Sequence, residues 1–135
     1  MSELTGSDLL VKLVQNGPFA VLELEGNLTC VTMGTLLEGI RSLSDEGNDT
    51  ILINLHGVKY VDSSGLGTLI SAVKYATDAG KSIYLAGANH SVKTCIMLAG
   101  INKVVPFFNN IDEAIAKLAE LGIEYPKSPP TPSTK

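Results

Sequence analysis

Two serines in a row, Ser63 and Ser64, stand behind Asp62 and ahead of Gly65 and Gly67 in the stretch Val61 to Gly67. They fall where an apolar run gives way to helical spacing. A turn of that kind can expose a nucleophile, cradle a phosphate, cap a helix or carry a covalent modification. Each chemistry demands its own neighbours. A hydrolase elbow requires glycine two residues before and two after the serine, whereas Ser63 has Val61 and Gly65 there and Ser64 has Asp62 and Leu66. A triad also needs a histidine, and no spacing rule ties His56 or His90 to these serines. No catalytic residue, and hence no enzyme, is expected. The P-loop pattern needs a lysine beside its last glycine and the dinucleotide fingerprint three glycines; "GLGTLI" offers neither. Gly65 and Gly67 are expected instead to keep the first helical turn slim for close packing.

Capping accounts for one polar residue here. An Asp or Ser side chain at a helix N-terminus accepts a hydrogen bond from a free backbone N–H, contributing about 1 kcal/mol. The sequence supplies three such residues, Asp62, Ser63 and Ser64. A phosphate on one of the serines would use the same physics: the free amides and the helix dipole tolerate its charge of about −1.5 to −2, while its bulk and charge alter what a partner sees. That is a switch, not a catalyst.

The rest of the chain narrows the possibilities. With fourteen acidic and ten scattered basic residues, and a net charge of −4, it lacks the clustered Lys and Arg that a nucleic-acid surface needs. No apolar stretch reaches the ~20 residues of a membrane span, so no membrane insertion is expected. The opening residues carry Glu3 and Asp8 before any basic residue, unlike a secretory signal, and a cytoplasmic location is expected. Cys30 and Cys95 are too few and too far apart for a disulfide framework or a CxxC site; they are expected as reduced, buried thiols. With two histidines besides, no metal set and no cofactor is expected.

At 135 residues, 44% of them hydrophobic, the chain is long enough for one domain with its own core. Leu9 to Val14, the Asn16-Gly17 turn and "FAVLELEG" predict a hairpin. Met33, Leu36, Leu37, Ile40 and Leu43 predict the inner face of a helix within Thr29 to Leu43. "TILINL", Thr50 to Leu55, predicts a strand buried on both faces. After the serines, Leu66, Leu69, Ile70, Val73 and Ala76 predict one helical face, with Gly80 as the stop. "SIYLAGA" is the next strand, and "HSVKTCIMLAGI" the next helix, with Asn89 and His90 capping or flanking it. A short strand at Lys103 to Phe107 comes next. Asn110 then caps a last helix with Ile111, Ala114, Ile115, Leu118 and Leu121 inward, and Phe107 and Phe108 are expected beneath it. Residues 126–135, rich in Pro, Ser and Thr, are expected to be a disordered tail. The alternation implies an α/β fold with a mixed sheet.

The residues from "ILINLHGVKYVDSSGLG" onward, with "SVKTCIMLAGINKVVPFF" downstream, resemble the STAS domain of anti-sigma factor antagonists. The likeness covers Ile51 to Ile115 closely and Phe19 to Leu43 more loosely. It implies a single domain over residues 1–125, with a mixed sheet of four to five strands and about four helices mainly on one side. It implies that Ser63, directly after the motif Asp, accepts phosphate from a partner that is both serine kinase and anti-sigma factor, with Ser64 the alternative. A PP2C-type phosphatase would reverse the modification. The partner surface would comprise Asn27, Thr29, Asp62, Ser63, Ser64, Gly65 and Leu66. The family's early loop commonly reads Gly-Glu-Leu-Asp, and Gly26-Asn27-Leu28-Thr29 replaces both acids with neutral residues. STAS domains also serve as adaptors in transport assemblies, the alternative that the resemblance leaves open.

Overall fold

A computed structural model describes residues 2–5, 9–16, 19–29, 31–44 and 49–122. The Gly17 half of the predicted hairpin turn, Cys30 and the tail lie outside these residues. Six strands form one sheet: β1 (Ser2–Thr5), β2 (Leu9–Asn16), β3 (Phe19–Leu28), β4 (Thr50–Val61), β5 (Ser82–Ala86) and β6 (Phe107–Phe108). They lie side by side in chain order. The first three pair antiparallel and the rest parallel, so the sheet is mixed, as its pattern implies. The helices α1 (Met33–Ser44), α2 (Ser63–Asp78), α3 (His90–Leu98) and α4 (Ile111–Glu120) supply the crossovers and the end of the described chain.

The two faces of the sheet carry separate cores. Alternating residues of β3, Ala20, Leu22 and Leu24, join Ile51, Ile53 and Leu55 of β4 beneath Leu36 and Ile40 of α1, Leu69, Ala72 and Val73 of α2, and Val92 and Ile96 of α3. The intervening residues Phe19, Val21 and Leu52 face the other way, against Ala114 and Leu118 of α4. This is the period of two that strands impose, and Ile51, Leu52 and Ile53 are all fully buried. Three helices on one face and one on the other agree with the expected layering.

Several local expectations are corrected. The first strand, β1, carries no apolar run and has no counterpart in the sequence pattern. The strand expected at Lys103 to Phe107 is instead a 3-10 turn, Ile101–Lys103, and then β6. Ile70 and Met33, expected inward, are 46% and 40% exposed, and Leu121 also lies in solvent. The α2 face is narrower and centred on Gly65, Thr68, Leu69, Ala72, Val73 and Ala76, because small residues let the helix sit close to the sheet. Phe107 packs on the three-helix side, and only Phe108 joins the α4 cluster. Cys95, expected buried, is half-buried against the core.

β4 runs six residues beyond the predicted Leu55. Its partner register with β3 advances from Glu23↔Asn54 to Glu25↔Gly57 and from Gly26↔Val58 to Asn27↔Tyr60, so β4 carries an extra residue twice. Such bulges bend and twist a strand and re-aim the segment beyond it. Here that segment is the turn with the two serines.

Candidate functional site at the mouth of α2

Of the three possible caps, only Asp62 is used. It is extended at φ −106° and ψ −177°, and its Oδ1 accepts the Gly65 N–H at 2.8 Å. Its carbonyl accepts the Leu66 N–H at 2.9 Å, and its own N–H donates to the Leu28 carbonyl at 3.1 Å. That last bond fixes the start of α2 to the end of β3. Gly65 tightens the joint: a Cβ built there would lie 2.0 Å from the Leu28 carbonyl oxygen, a distance no side chain tolerates. The same test at Gly67 meets nothing within 4 Å. The two glycines expected to act alike therefore differ, since only Gly65 faces the sheet.

With Asp62 as the cap, Ser63 and Ser64 are left exposed in the first turn. Neither hydroxyl has a hydrogen-bond partner among the described residues; the Ser64 carbonyl accepts the Thr68 hydroxyl at 2.9 Å. The first turn of α2 contains no acidic residue, so the positive end of the helix dipole is opposed only by the capping carboxylate. Leu66 is half-buried against the core.

The turn after β3 lies beside this helix mouth. Thr32, fully buried, accepts the Thr29 N–H through Oγ1 at 3.0 Å and donates to the Asn27 carbonyl at 2.8 Å. The Thr29 hydroxyl accepts the Val31 N–H at 3.2 Å. Asn27 and Thr29 are therefore held by bonds internal to the turn, and Leu28 by its bond to Asp62. Strand alternation from Leu28, whose side chain enters the three-helix core, turns the Asn27 side chain to the opposite face of the sheet. Of the seven residues expected to meet a partner, Asp62 to Leu66 form one contiguous mouth, Thr29 borders it through its turn, and Asn27 contributes its carbonyl.

Sequence reasoning misses Thr32, although a Thr-x-x-Thr spacing directly after a strand is a turn signal. It finds Asn89, which does more than cap. Its Oδ1 accepts the Val92 N–H at 2.8 Å while its amide donates to the Val58 carbonyl on β4 at 3.1 Å. His56 is exposed on β4, and its backbone N–H donates to Asn54 Oδ1. Among the described residues, no hydrogen bond joins either histidine to a serine of the turn, no cluster of three or more His, Cys, Asp or Glu could hold a metal, and no helix is long and apolar enough to cross a membrane.

Known proteins share this fold. An anti-sigma-B factor antagonist of Staphylococcus epidermidis is 24% identical over 98 residues, spanning 73% of this chain and 91% of that one. The antagonist SpoIIAA in its unphosphorylated form superposes with a TM-score of 0.68 at 19% identity, over 85% of this chain and 99% of that one. Its phosphorylated form, from Bacillus, gives 0.62 at 18% over 80% and 98%. The STAS domain of a SulP transporter from Vibrio cholerae gives 0.67 at 22% over 80% and 87%. The family model for the STAS domain matches residues 11–114, from β2 into α4 and across the whole serine turn, and the chain belongs to the STAS domain family.

Proposed function

We propose that the protein is an anti-sigma factor antagonist of a bacterial partner-switching system, controlled by phosphate on Ser63. One observation carries this most directly: Asp62 alone caps α2, leaving Ser63 exposed, its hydroxyl without a hydrogen-bond partner among the described residues. The hydroxyl is surplus to folding and open to a kinase. The name of the Staphylococcus relative and the two solved forms of SpoIIAA support the same role.

In the proposed cycle the unphosphorylated protein binds a serine kinase that is also an anti-sigma factor, and the sigma factor is freed. The kinase transfers the γ-phosphoryl group of ATP to Ser63 Oγ; the hydroxyl proton and ADP leave. The new group adds about −1.5 to −2 charge at a helix mouth whose dipole accommodates it. Folding is kept while the docking surface changes, and the partner is released. A PP2C-type phosphatase then uses water to return serine and inorganic phosphate. The protein itself performs neither step. A cycle fed by ATP belongs in the cytoplasm.

Ser64 is the alternative acceptor, also exposed but one residue further into the helix. The likeness to the SulP transporter domain favours a second role, a constitutive adaptor in a transport assembly. Phosphopeptide mass spectrometry across Val61 to Lys74, on protein from its own cells in growth and under stress, separates these. Occupancy at Ser63 that changes between conditions is expected. Ser63→Ala should stay bound to the kinase and Ser63→Asp should bind it more weakly. If both variants bind and release as the parent does, the switch is excluded.

A further inference from the structure

The two chain segments that meet at the mouth of α2 are short of charge. Gly26 to Leu37 contains no charged residue and Asp62 to Val73 contains one, Asp62, whose Oδ1 is already occupied by the Gly65 amide. In place of charge, the surface shows carbon. Val31 is 65% exposed, Met33 40% and Ile70 46%. Ser63, Gly67 and Ile70, spaced by four and three residues, lie along one exposed line of α2. Val31 and Met33 belong to the turn and first residues of α1, which the Asp62–Leu28 hydrogen bond and the Gly65–Leu28 contact bring beside the mouth of α2.

Two glycines stand in the same place without a use in the isolated fold. A Cβ at Gly67 or at Gly34, in the first turn of α1, would meet nothing within 4 Å. Neither glycine has positive φ, so no turn requires them. Inside α2 a glycine is conformationally costly relative to alanine, and no contact among the described residues offsets that cost. A close neighbour that is present only in a complex does.

We infer that the switch partner docks here through an uncharged, apolar surface that comes into close contact with the helix backbone at Gly67, and that binding does not depend on ion pairs. This rests on the function proposed above and specifies the chemistry of its partner. An interface of this kind sharpens the switch. A dianion introduced on Ser63 would be desolvated with no basic residue in either of these two segments to oppose it, an arrangement in which one phosphate is disruptive.

The test has two stages. A photo-crosslinking residue at position 70, introduced in the protein's own cells, identifies the bound kinase by mass spectrometry. The purified kinase is then titrated with the parent, Gly67→Ala and Val31→Ser, and each variant is melted alone. Gly67→Ala is expected to melt above the parent yet bind about tenfold or more weakly, a clash having no counterpart in the free protein. Val31→Ser should bind more weakly with its fold intact. The parent's affinity should change less than about threefold between about 50 and about 500 mM salt. Unchanged binding of Gly67→Ala, or a larger salt effect, overturns the inference and leaves the function standing if that kinase still phosphorylates Ser63. If no kinase is crosslinked and Ser63 is never phosphorylated, the proposed function falls and takes the inference with it.

Discussion

The turns that open α2 and α3 are built on one plan and fastened differently. Each comes after a parallel strand, each is capped by an extended Asp or Asn accepting an N–H three residues on at 2.8 Å, and each leaves an exposed serine just inside the helix, Ser63 or Ser91. At α3, the capping side chain also ties the turn to the sheet, through the Asn89 amide and the Val58 carbonyl. At α2, the tie is made by backbone: the Asp62 N–H meets the Leu28 carbonyl, and Gly65 lies against the same peptide. An exposed serine at a capped helix mouth is therefore not distinctive by itself. The α2 mouth differs in being anchored by backbone rather than through its capping side chain, and in being flanked by exposed Val31 and Met33.

That comparison can be broken most forcefully at Gly65. Gly65→Ala places a Cβ against backbone that cannot rotate away, and we expect a loss of about 3 kcal/mol or more in urea unfolding; a loss below about 1 kcal/mol would show that the backbone anchor is dispensable. Next come the caps. Asn89→Ala removes two hydrogen bonds and should cost about 2 kcal/mol, whereas Asp62→Ala removes one and should cost about 1 kcal/mol. The reverse order in the same denaturation series would mean that the side chain, not the backbone, holds α2. The smallest effects belong to the serines. Ser63→Ala and Ser91→Ala should each stay within ~0.5 kcal/mol of the parent, and of the two only the first should alter release of the kinase.

Much of this is legible in the sequence because it is local. The alternating strand pattern, the crossover helices and the caps depend on residues within one turn of each other: Asn110 accepts as expected, Asn89 is the cap of the Asn89–His90 pair, and Asp62 is the one used of three candidates. The illegible parts depend on distant neighbours. The sequence marks Gly65 and Gly67 identically, and only the position of Leu28 separates them. Ile70 continues an apolar period and yet faces solvent, because periodicity reports a helix's possible inner face and not how much of it the sheet can cover. β1 contributes backbone pairing to β2 without an apolar signature. The end of β4, "HGVKYV", looks like a loop because its polar residues fall where the bulges interrupt alternation with β3.

The uneven layering bears on how the molecule moves. α4 holds to its face of the sheet mainly through Ala114 and Leu118, with a small cluster of its own that shares no side chain with the core under α1, α2 and α3. A segment with so few buried contacts opens at a lower free energy than the centre of the sheet, as a separate cooperative unit. Fluctuations of α4 can therefore come and go, on their own timescale, while the mouth of α2 keeps its shape. The serine turn is thereby insulated from local opening of α4.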